Sequence, residues 1–341
     1  MSNLQGEEKK PNKALKIISK NMILLGFVIL CAVIGSLSSN FFTVTNWLNI
    51  LVQCSIVGII AVGMTFVIIT GGIDLSVGSM LAFSAIVSGM MLKNGASIPV
   101  VILVALIIGT AIGFANGFFI TKFNVPAFIV TLATMSIFRG LTLVVSDGKN
   151  QALSISKSAS PDLFSKLTAF SKIGDKLGPV PIPIIIMIII FLIGYYVLQY
   201  TTFGRNLYAI GGNREATRFS GINIGKIELL AYTITGLLCA LSGVVLNARL
   251  GAALPNAGVG YEMDAIGAVV IGGASLAGGE GTISGTILGV LIIGVLNNGL
   301  NLMNVNPFYQ QVVKGAVILV AVLVDQLKRK NKVVNNYERY N

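Results

Sequence analysis

The chain has 341 residues, of which 54% are hydrophobic and only 11% are charged, with 24 Lys and Arg against 13 Asp and Glu. A soluble domain carries about 25% charged residues, so this composition excludes a soluble globular protein and predicts one that lies in lipid. The sequence contains no His, which excludes His-based catalysis and the commonest metal ligand. We expect the basic excess to orient the chain in a membrane, not to bind nucleic acid.

Ten apolar stretches are each about as long as the roughly 20 residues that a membrane-spanning helix needs. They cover residues 17–38, 46–70, 74–92, 98–121, 125–146, 180–200, 227–249, 263–278, 282–303 and 307–327. Runs this long exclude the strands of a membrane barrel, so the sequence predicts an all-α polytopic membrane protein of about ten transmembrane helices. Nine or eleven spans are also compatible, because the eighth is short and only a glycine break separates the second from the third.

The distribution of Lys and Arg predicts the orientation of these spans. Residues 1–16 form a Lys-rich tail, interpreted as cytoplasmic and not as a cleavable signal peptide. A second basic cluster opens residues 328–341, which predicts a cytoplasmic C-terminal tail and an even number of spans. Residues 17–327 are then one transmembrane domain, with an extracytoplasmic loop at 147–179 and a cytoplasmic loop at 201–226.

The three cysteines, Cys31, Cys54 and Cys239, lie inside apolar runs without paired spacing. They are expected to be small core residues and not disulfides or metal ligands.

The outer loop contains a helix start, since Ser160 is followed by Pro161 and Asp162. Apolar residues then recur at helical spacing, which predicts a short amphipathic helix. Two placements stay open: on the membrane surface or a partner, or packed on the helix bundle.

The sequence TGGIDLSVGS, residues 70–79, interrupts the apolar run between the second and third spans. Gly71 and Gly72 are expected to end one helix, and Asp74 is expected to cap the next by accepting backbone N–H groups. The predicted topology places this turn at the cytoplasmic edge, where it is either part of an inner gate or only a capped turn.

Asparagines mark the fourth and ninth spans. Asn297, Asn301 and Asn304 fall on one helix face, Asn298 lies beside them, and Asn116 lies in the fourth span. Amides donate and accept hydrogen bonds without charge, so these residues are predicted to line the path of a neutral polyhydroxylated substrate; the alternative is interhelical hydrogen bonding.

Two cations, Arg139 and Lys314, also lie within spans. Intramembrane cations are functional by default, although both are close enough to an interface to snorkel. The sequence shows no acid pair deep in a span, which argues against a carrier driven by protons or sodium.

A weak repeat relates the two halves of the chain. Asn116-Gly117 with Asn124 returns as Asn298-Gly299 with Asn306, at an offset of 182 residues. The fourth and ninth spans differ by five, an odd number, so the repeat predicts two inverted halves. Rows of glycines four residues apart, such as Gly109 and Gly113, predict close helix packing.

The stretch FGRNLYAIGGNREATRFSGINIGK, residues 203–226, is too structured for a simple linker. Asn213 is expected to cap a short helix that contains Arg214, Glu215 and Arg218, and Gly221 is expected to end it. Such a helix would dock into a soluble partner; the alternative is a basic loop that only orients the chain.

Together, TGGIDLSVGS, GRNLYAIGGNREATRFSGIN and VIGGASLAGGEGTISGTILG resemble the membrane permease subunits of monosaccharide ABC importers of the ribose, arabinose and xylose type. The similarity runs from about residue 20 to residue 327, and the ribose type is the nearest match.

The resemblance implies a fold like that of the cobalamin-importer permeases in the inner membrane of a prokaryote. It implies as partners a second copy of the chain, a cytoplasmic ATPase subunit and an extracytoplasmic sugar-binding protein. It assigns coupling to the ATPase to Gly211, Gly212, Asn213, Arg214, Glu215, Arg218 and Gly221.

The resemblance implies that this chain catalyses no reaction and binds no cofactor. The sequence also lacks the GxxxxGK[ST] motif that binds the phosphates of ATP. Three alternatives stay open. They are a permease for nucleosides, autoinducer sugars or branched-chain amino acids; an autonomous secondary carrier; and a membrane-embedded enzyme.

Overall fold

The computed structural model describes residues 22–340, and the side chains of residues 23–327. This part of the chain holds thirteen α-helices. They are α1 (Met22–Leu37), α2 (Val44–Ile69), α3 (Val77–Lys93), α4 (Ile98–Phe123), α5 (Ala127–Ser146), α6 (Pro161–Ser171), α7 (Ile182–Tyr200), α8 (Thr202–Gly212), α9 (Arg214–Phe219), α10 (Ile224–Leu250), α11 (Tyr261–Ile271), α12 (Ile283–Leu302) and α13 (Pro307–Tyr340).

Within these residues, seven helices are long and apolar enough to cross a membrane, namely α2, α4, α5, α7, α10, α12 and the first part of α13. Helices α1 and α3 are apolar but shorter, and α11 has only 11 residues. Every predicted span therefore contains a helix. The polytopic all-α architecture is confirmed, and the number of crossings stays a prediction.

Two predicted boundaries were wrong. The third span begins at Val77 and not at residue 74, because residues 70–76 are non-helical. The eighth ends at Ile271 and not at 278, since the backbone turns at Gly273 with φ +93°. The last predicted span, 307–327, matches the apolar part of α13, and the helix itself runs on to Tyr340 because residues 328–340 contain no Gly or Pro to stop it. The tail at residues 1–16 lies outside the described residues.

The helices form a buried inner set and an exposed outer set. Among the 18 most apolar consecutive residues of α2, 83% are buried, whereas 0% of the corresponding residues of α13 are buried. Helix α10 packs along α4, α2 and α3, and α12 packs on α11 and α2. The outer helices present large apolar side chains such as Leu192 and Leu319, which is the surface expected toward lipid.

Glycines set the closest helix contacts. A Cβ at Gly109 or Gly113 of α4 would meet the backbone of α10 at Gly236 or Tyr232, and Gly289 of α12 lies on the backbone of α11. The glycine rows are therefore packing surfaces, as predicted. Cys54 and Cys239 are buried, and the three cysteines are free.

The outer loop is ordered by short elements. Strand β1 (Gln151–Ala152) pairs antiparallel with β4 (Ala252–Ala253), in the register Gln151 to Ala253, and β2 (Lys176–Leu177) forms a hairpin with β3 (Val180–Pro181). The predicted amphipathic helix is α6. Leu167 and Phe170 are buried in a small apolar cluster with residues of α3, α4 and α10. Of the two placements, packing on the bundle is the one observed.

Candidate coupling and translocation sites

The segment predicted to couple to an ATPase forms two short helices, α8 and α9. Asn213 lies between them and caps α9, because its side chain accepts the backbone N–H of Ala216 at 2.9 Å. Gly221 follows α9 with φ +77°, a left-handed conformation that suits Gly. The predicted short helix is thus confirmed.

One face of α9 has no covering residues within the described chain. The side chains of Glu215 and Arg218 are exposed, and Phe219 is 90% exposed. A large aromatic ring left in solvent beside two opposite charges is typical of a protein contact surface.

Arg214 points the other way and joins α9 to α10. Its guanidinium donates two hydrogen bonds to the carboxylate of Glu228, one of them 2.9 Å from Nη2 to Oε2. The side chain of Glu228 is only 7% exposed, whereas that of Arg214 is 53% exposed. Hydrogen bonding to Glu228 raises the pKa of Arg214 above its ordinary value, so Arg214 stays cationic at any physiological pH. Sequence reasoning missed Glu228.

The end of α8 packs on the glycine-rich segment 272–282. A side chain at Gly211 would collide with the carbonyl of Ile69 and with the backbone of Gly279, whereas Gly212 has open space around its Cα. The N–H of Gly279 donates to Ile69 O at 2.8 Å, and the hydroxyl of Tyr208 donates to Gly281 O at 2.6 Å. The segment predicted to couple to an ATPase therefore contacts the C-terminal end of α2 directly.

The turn between α2 and α3 is partly buried, with Gly71 exposed and Ser76 buried. Gly71 adopts φ +84°, and Asp74 is fully buried. Asp74 Oδ1 accepts hydrogen bonds from the N–H and the hydroxyl of Ser76, at 2.8 Å and 2.6 Å. Asn116 of α4 then donates to Ser76 Oγ at 2.9 Å and accepts from the hydroxyl of Thr134 of α5 at 2.6 Å.

These contacts correct the predicted role of Asp74 as a helix cap. The N-cap of α3 is Ser76, and its side chain makes no capping bond. Asp74 instead accepts from the N-cap residue itself, because α3 begins only at Val77, three residues after Asp74. The placement of this turn at the cytoplasmic edge stays a prediction. Beside this turn lies a cavity of about 310 Å³, lined in part by Gly71, Gly72, Glu228 and Tyr232.

The asparagines do not form one surface. Asn304 lies beyond the end of α12 with φ +54°, so the predicted stripe ends at Asn301. Asn298 is buried and exchanges two hydrogen bonds, at 2.8 Å and 3.0 Å, with the amide of Asn46 on α2. Asn301 is exposed and accepts from Gln310 Nε2 at 2.8 Å.

Asn297 is half-buried, and its Oδ1 has no partner among the described residues. The structure thus places Asn116 and Asn298 in interhelical networks, the alternative that the sequence left open. A role in the path stays a prediction for Asn297, Asn301 and Asn304.

Arg139 and Lys314 both have partners within the chain. Arg139 Nη1 donates to Pro255 O and Ala257 O at 3.0 Å and 2.8 Å, and Lys314 pairs with Asp264 at 3.1 Å. Three acids, Asp74, Glu228 and Asp264, are also buried, and two of them are paired with cations, Glu228 with Arg214 and Asp264 with Lys314. The absence of an acid pair deep in a span stays a prediction. Asp264 lies in the first turn of the short helix α11, where the helix dipole favours acidic residues. The predicted span is so apolar overall that this local signal is easily missed.

Comparison with known proteins identifies the family. A family profile described as the permease component of branched-chain amino acid transport systems matches residues 46–322. The chain is 49% identical to the ribose import permease RbsC of Escherichia coli K12, over 90% of this chain and 93% of that one. It is also 49% identical to RbsC of Bacillus subtilis, over 89% of this chain and 92% of the relative.

The D-allose transport permease AlsC of Escherichia coli K12 is 39% identical, over 96% of this chain and 97% of that one. No solved structure matches the chain. With a family profile over most of its length and relatives near half identity, the chain belongs to this family of transport-system permeases.

Proposed function

We propose that this chain is the membrane permease subunit of an ATP-driven ABC importer for a monosaccharide, with ribose as the substrate. The supporting observation is graded similarity. Identity is 47–49% to ribose import permeases of three bacteria, against 39% to an allose permease and 37% to a xylose permease.

The finer parts of the proposal follow from the predicted topology and from what the resemblance to ABC importer permeases implies. Ten spans with both termini in the cytoplasm place α8 and α9 inside the cell and the ordered loop around α6 outside. A separate ATPase subunit docks on the exposed face of α9, a sugar-binding protein docks on the outer loops, and two copies of the chain form the pathway in the inner membrane of a prokaryote. The fold proposed is that of the cobalamin-importer permeases with inverted halves.

A permease for branched-chain amino acids is the second candidate, because the matching family carries that description. The two substrates differ in the chemistry that a pathway needs. A sugar offers neutral hydroxyls, whereas an amino acid carries both an ammonium and a carboxylate.

The test is ATPase stimulation in the assembled complex. The chain is co-expressed and purified with the ATPase subunit of the same importer, and it is supplied with the importer's binding protein loaded with ribose, allose, xylose or leucine. Ribose is expected to raise ATP hydrolysis most. Stimulation by leucine alone would replace the proposal with the amino acid permease, and ATP-independent transport by the chain alone would replace it with a secondary carrier.

A further inference from the structure

Two of the short helices begin from non-helical chain that is partly buried in the bundle. Helix α3 follows residues 70–76 and helix α11 follows residues 254–260. They are the third and the eighth of the ten predicted spans and therefore occupy corresponding places in the two predicted halves. Paired interruptions of this kind in a transporter point to the binding site, because irregular backbone at membrane depth is tolerated only inside protein or beside water.

The two helix starts are in direct contact. A Cβ at Gly78, the second residue of α3, would collide with the carbonyl of Gly258 and lie 2.6 Å from Glu262 Oε2. Gly258 itself has φ +70°, so glycine on both sides brings the segments together. Glu262 Oε1 accepts the N–H of Gly260 at 3.2 Å, which fixes the carboxylate at the point of contact.

Charged side chains from three helices gather at this contact. Arg139 of α5 holds residues 255 and 257 through their carbonyls and interacts electrostatically with Glu262. Behind them Asp264, with 5% of its side chain exposed, pairs with Lys314 of α13. Its second oxygen, Oδ1, is buried without a partner in the described part of the chain, and such atoms usually mark a ligand or an ordered water.

The surface beside these charges is uncovered. Arg139 and Glu262 are both partly exposed, and Val259 and Met263 next to them are 60% and 51% exposed. Lipid does not cover charged groups without a large cost, so such groups face protein or water. The helix dipole accounts for acids in the first turn of α11, but it does not account for a guanidinium held at the same point.

We propose that Arg139 and Glu262 form a polar subsite for sugar hydroxyls on the translocation path, where α3 and α11 begin. Guanidinium N–H groups donate hydrogen bonds to a hydroxyl oxygen, and a carboxylate accepts a hydrogen bond from a hydroxyl O–H, so the pair matches both the acceptor and the donor of a hydroxyl group. The opposite charges of Arg139 and Glu262 give the subsite no net charge. This suits a neutral solute, which must be released again after it binds. Asp264 and Lys314 position α11 behind it. The inference rests on the proposed import of a monosaccharide.

The test combines thiol labelling with uptake, in the full complex in proteoliposomes. In a background without Cys31, Cys54 and Cys239, Met263→Cys is treated with a charged, water-soluble thiol reagent. We expect it to react, and we expect saturating ribose-loaded binding protein with ATP to protect it. Leu192→Cys on the exposed face of α7 is the control and stays unreactive. Glu262→Gln, which removes a charge-assisted hydrogen bond, is expected to lower ribose uptake about tenfold.

Three results would overturn the subsite. They are a Met263→Cys as unreactive as Leu192→Cys in every state of the cycle, a reaction that ribose leaves unchanged, and full ribose uptake by Glu262→Gln. Failure of the proposed function looks different. The wild-type complex would then import no sugar, while the labelling of Met263→Cys would still report whether water reaches this face.

Discussion

At the scale of single residues, the pair Arg214–Glu228 gives an asymmetric prediction. Arg214→Ala leaves a buried carboxylate without its partner, which costs about 3–5 kcal/mol. Glu228→Ala leaves a guanidinium that is 53% exposed and that water can solvate, so the expected cost is about 1 kcal/mol. Thermal unfolding of the purified permease measures both. Equal losses, or a larger loss for Glu228→Ala, would contradict the assigned burial of the pair.

Asp74 gives a second prediction at this scale. Asp74→Asn keeps an acceptor for both bonds from Ser76, so the amount of folded protein and the uptake are expected to stay near wild type. Asp74→Ala leaves the N–H of Ser76 unpaired in a buried site, which costs about 1–3 kcal/mol, and is expected to lower the folded yield. If Asp74→Asn is made in normal amounts but transports nothing, the charge itself has a role in gating.

Residues with local partners were predictable from the sequence, and residues with distant partners were not. Asn213 caps α9 through bonds three residues away, and that spacing is visible in the sequence. Glu228, Asn46 and Asp264 find partners on other helices, and nothing local indicates which faces meet. The amides of Asn116 and Asn298 were correctly identified as polar groups in apolar spans. Whether they pack helices together or line a pathway depends on their hydrogen-bond partners, which the sequence does not show.

At the scale of helices, the contact between α4 and α10 is set by glycine. Gly113→Ala would place a methyl group against the carbonyl of Tyr232, so the helices must separate at a cost of about 1–3 kcal/mol. Gly26→Ala in α1 meets nothing within 4 Å and is the matched control, expected to be neutral. Thermal unfolding again measures both, and a Gly113→Ala protein as stable as Gly26→Ala would contradict this packing.

The exposed face of α9 is predicted to transmit force from the ATPase. Glu215→Lys reverses a charge that has no partner in the described chain, so folding is expected to be unchanged, whereas complementary charge in the contact is lost. The complex should hydrolyse ATP with little ribose uptake. Lys122→Glu, a reversal near the inner end of α4, is the control. Wild-type uptake and unchanged ATPase binding by Glu215→Lys would exclude α9 from the contact.

Helix ends were predictable where the sequence carries a stop signal at the surface. The inner end of α2 was predicted to within one residue because Gly71 and Gly72 follow it. The start of α3 and the end of α11 were misplaced, since apolar residues continue through segments whose backbone is irregular inside the bundle. Hydrophobicity reports burial, and it does not distinguish a buried helix from buried extended chain.

At the scale of the molecule, the inner helices are arranged around two interruptions. Helix α8, which the predicted topology places in the cytoplasm, touches the end of α2, and α2 leads into the turn at Asp74. The turn contacts α4 and α5. Helix α5 also binds the segment before α11 through Arg139. A displacement at α8 therefore has a continuous path of packed residues to the start of α11. This path connects the proposed ATPase contact with the proposed sugar subsite.

The most direct measurement is ATP-dependent uptake of radiolabelled ribose by proteoliposomes that contain this chain, its ATPase and its binding protein. We predict accumulation of ribose when ATP is inside the vesicles, loss of accumulation when this chain is omitted, and no competition from leucine. Uptake that continues without ATP, or accumulation of leucine in place of ribose, would contradict the assignment of the chain as the permease of a ribose importer.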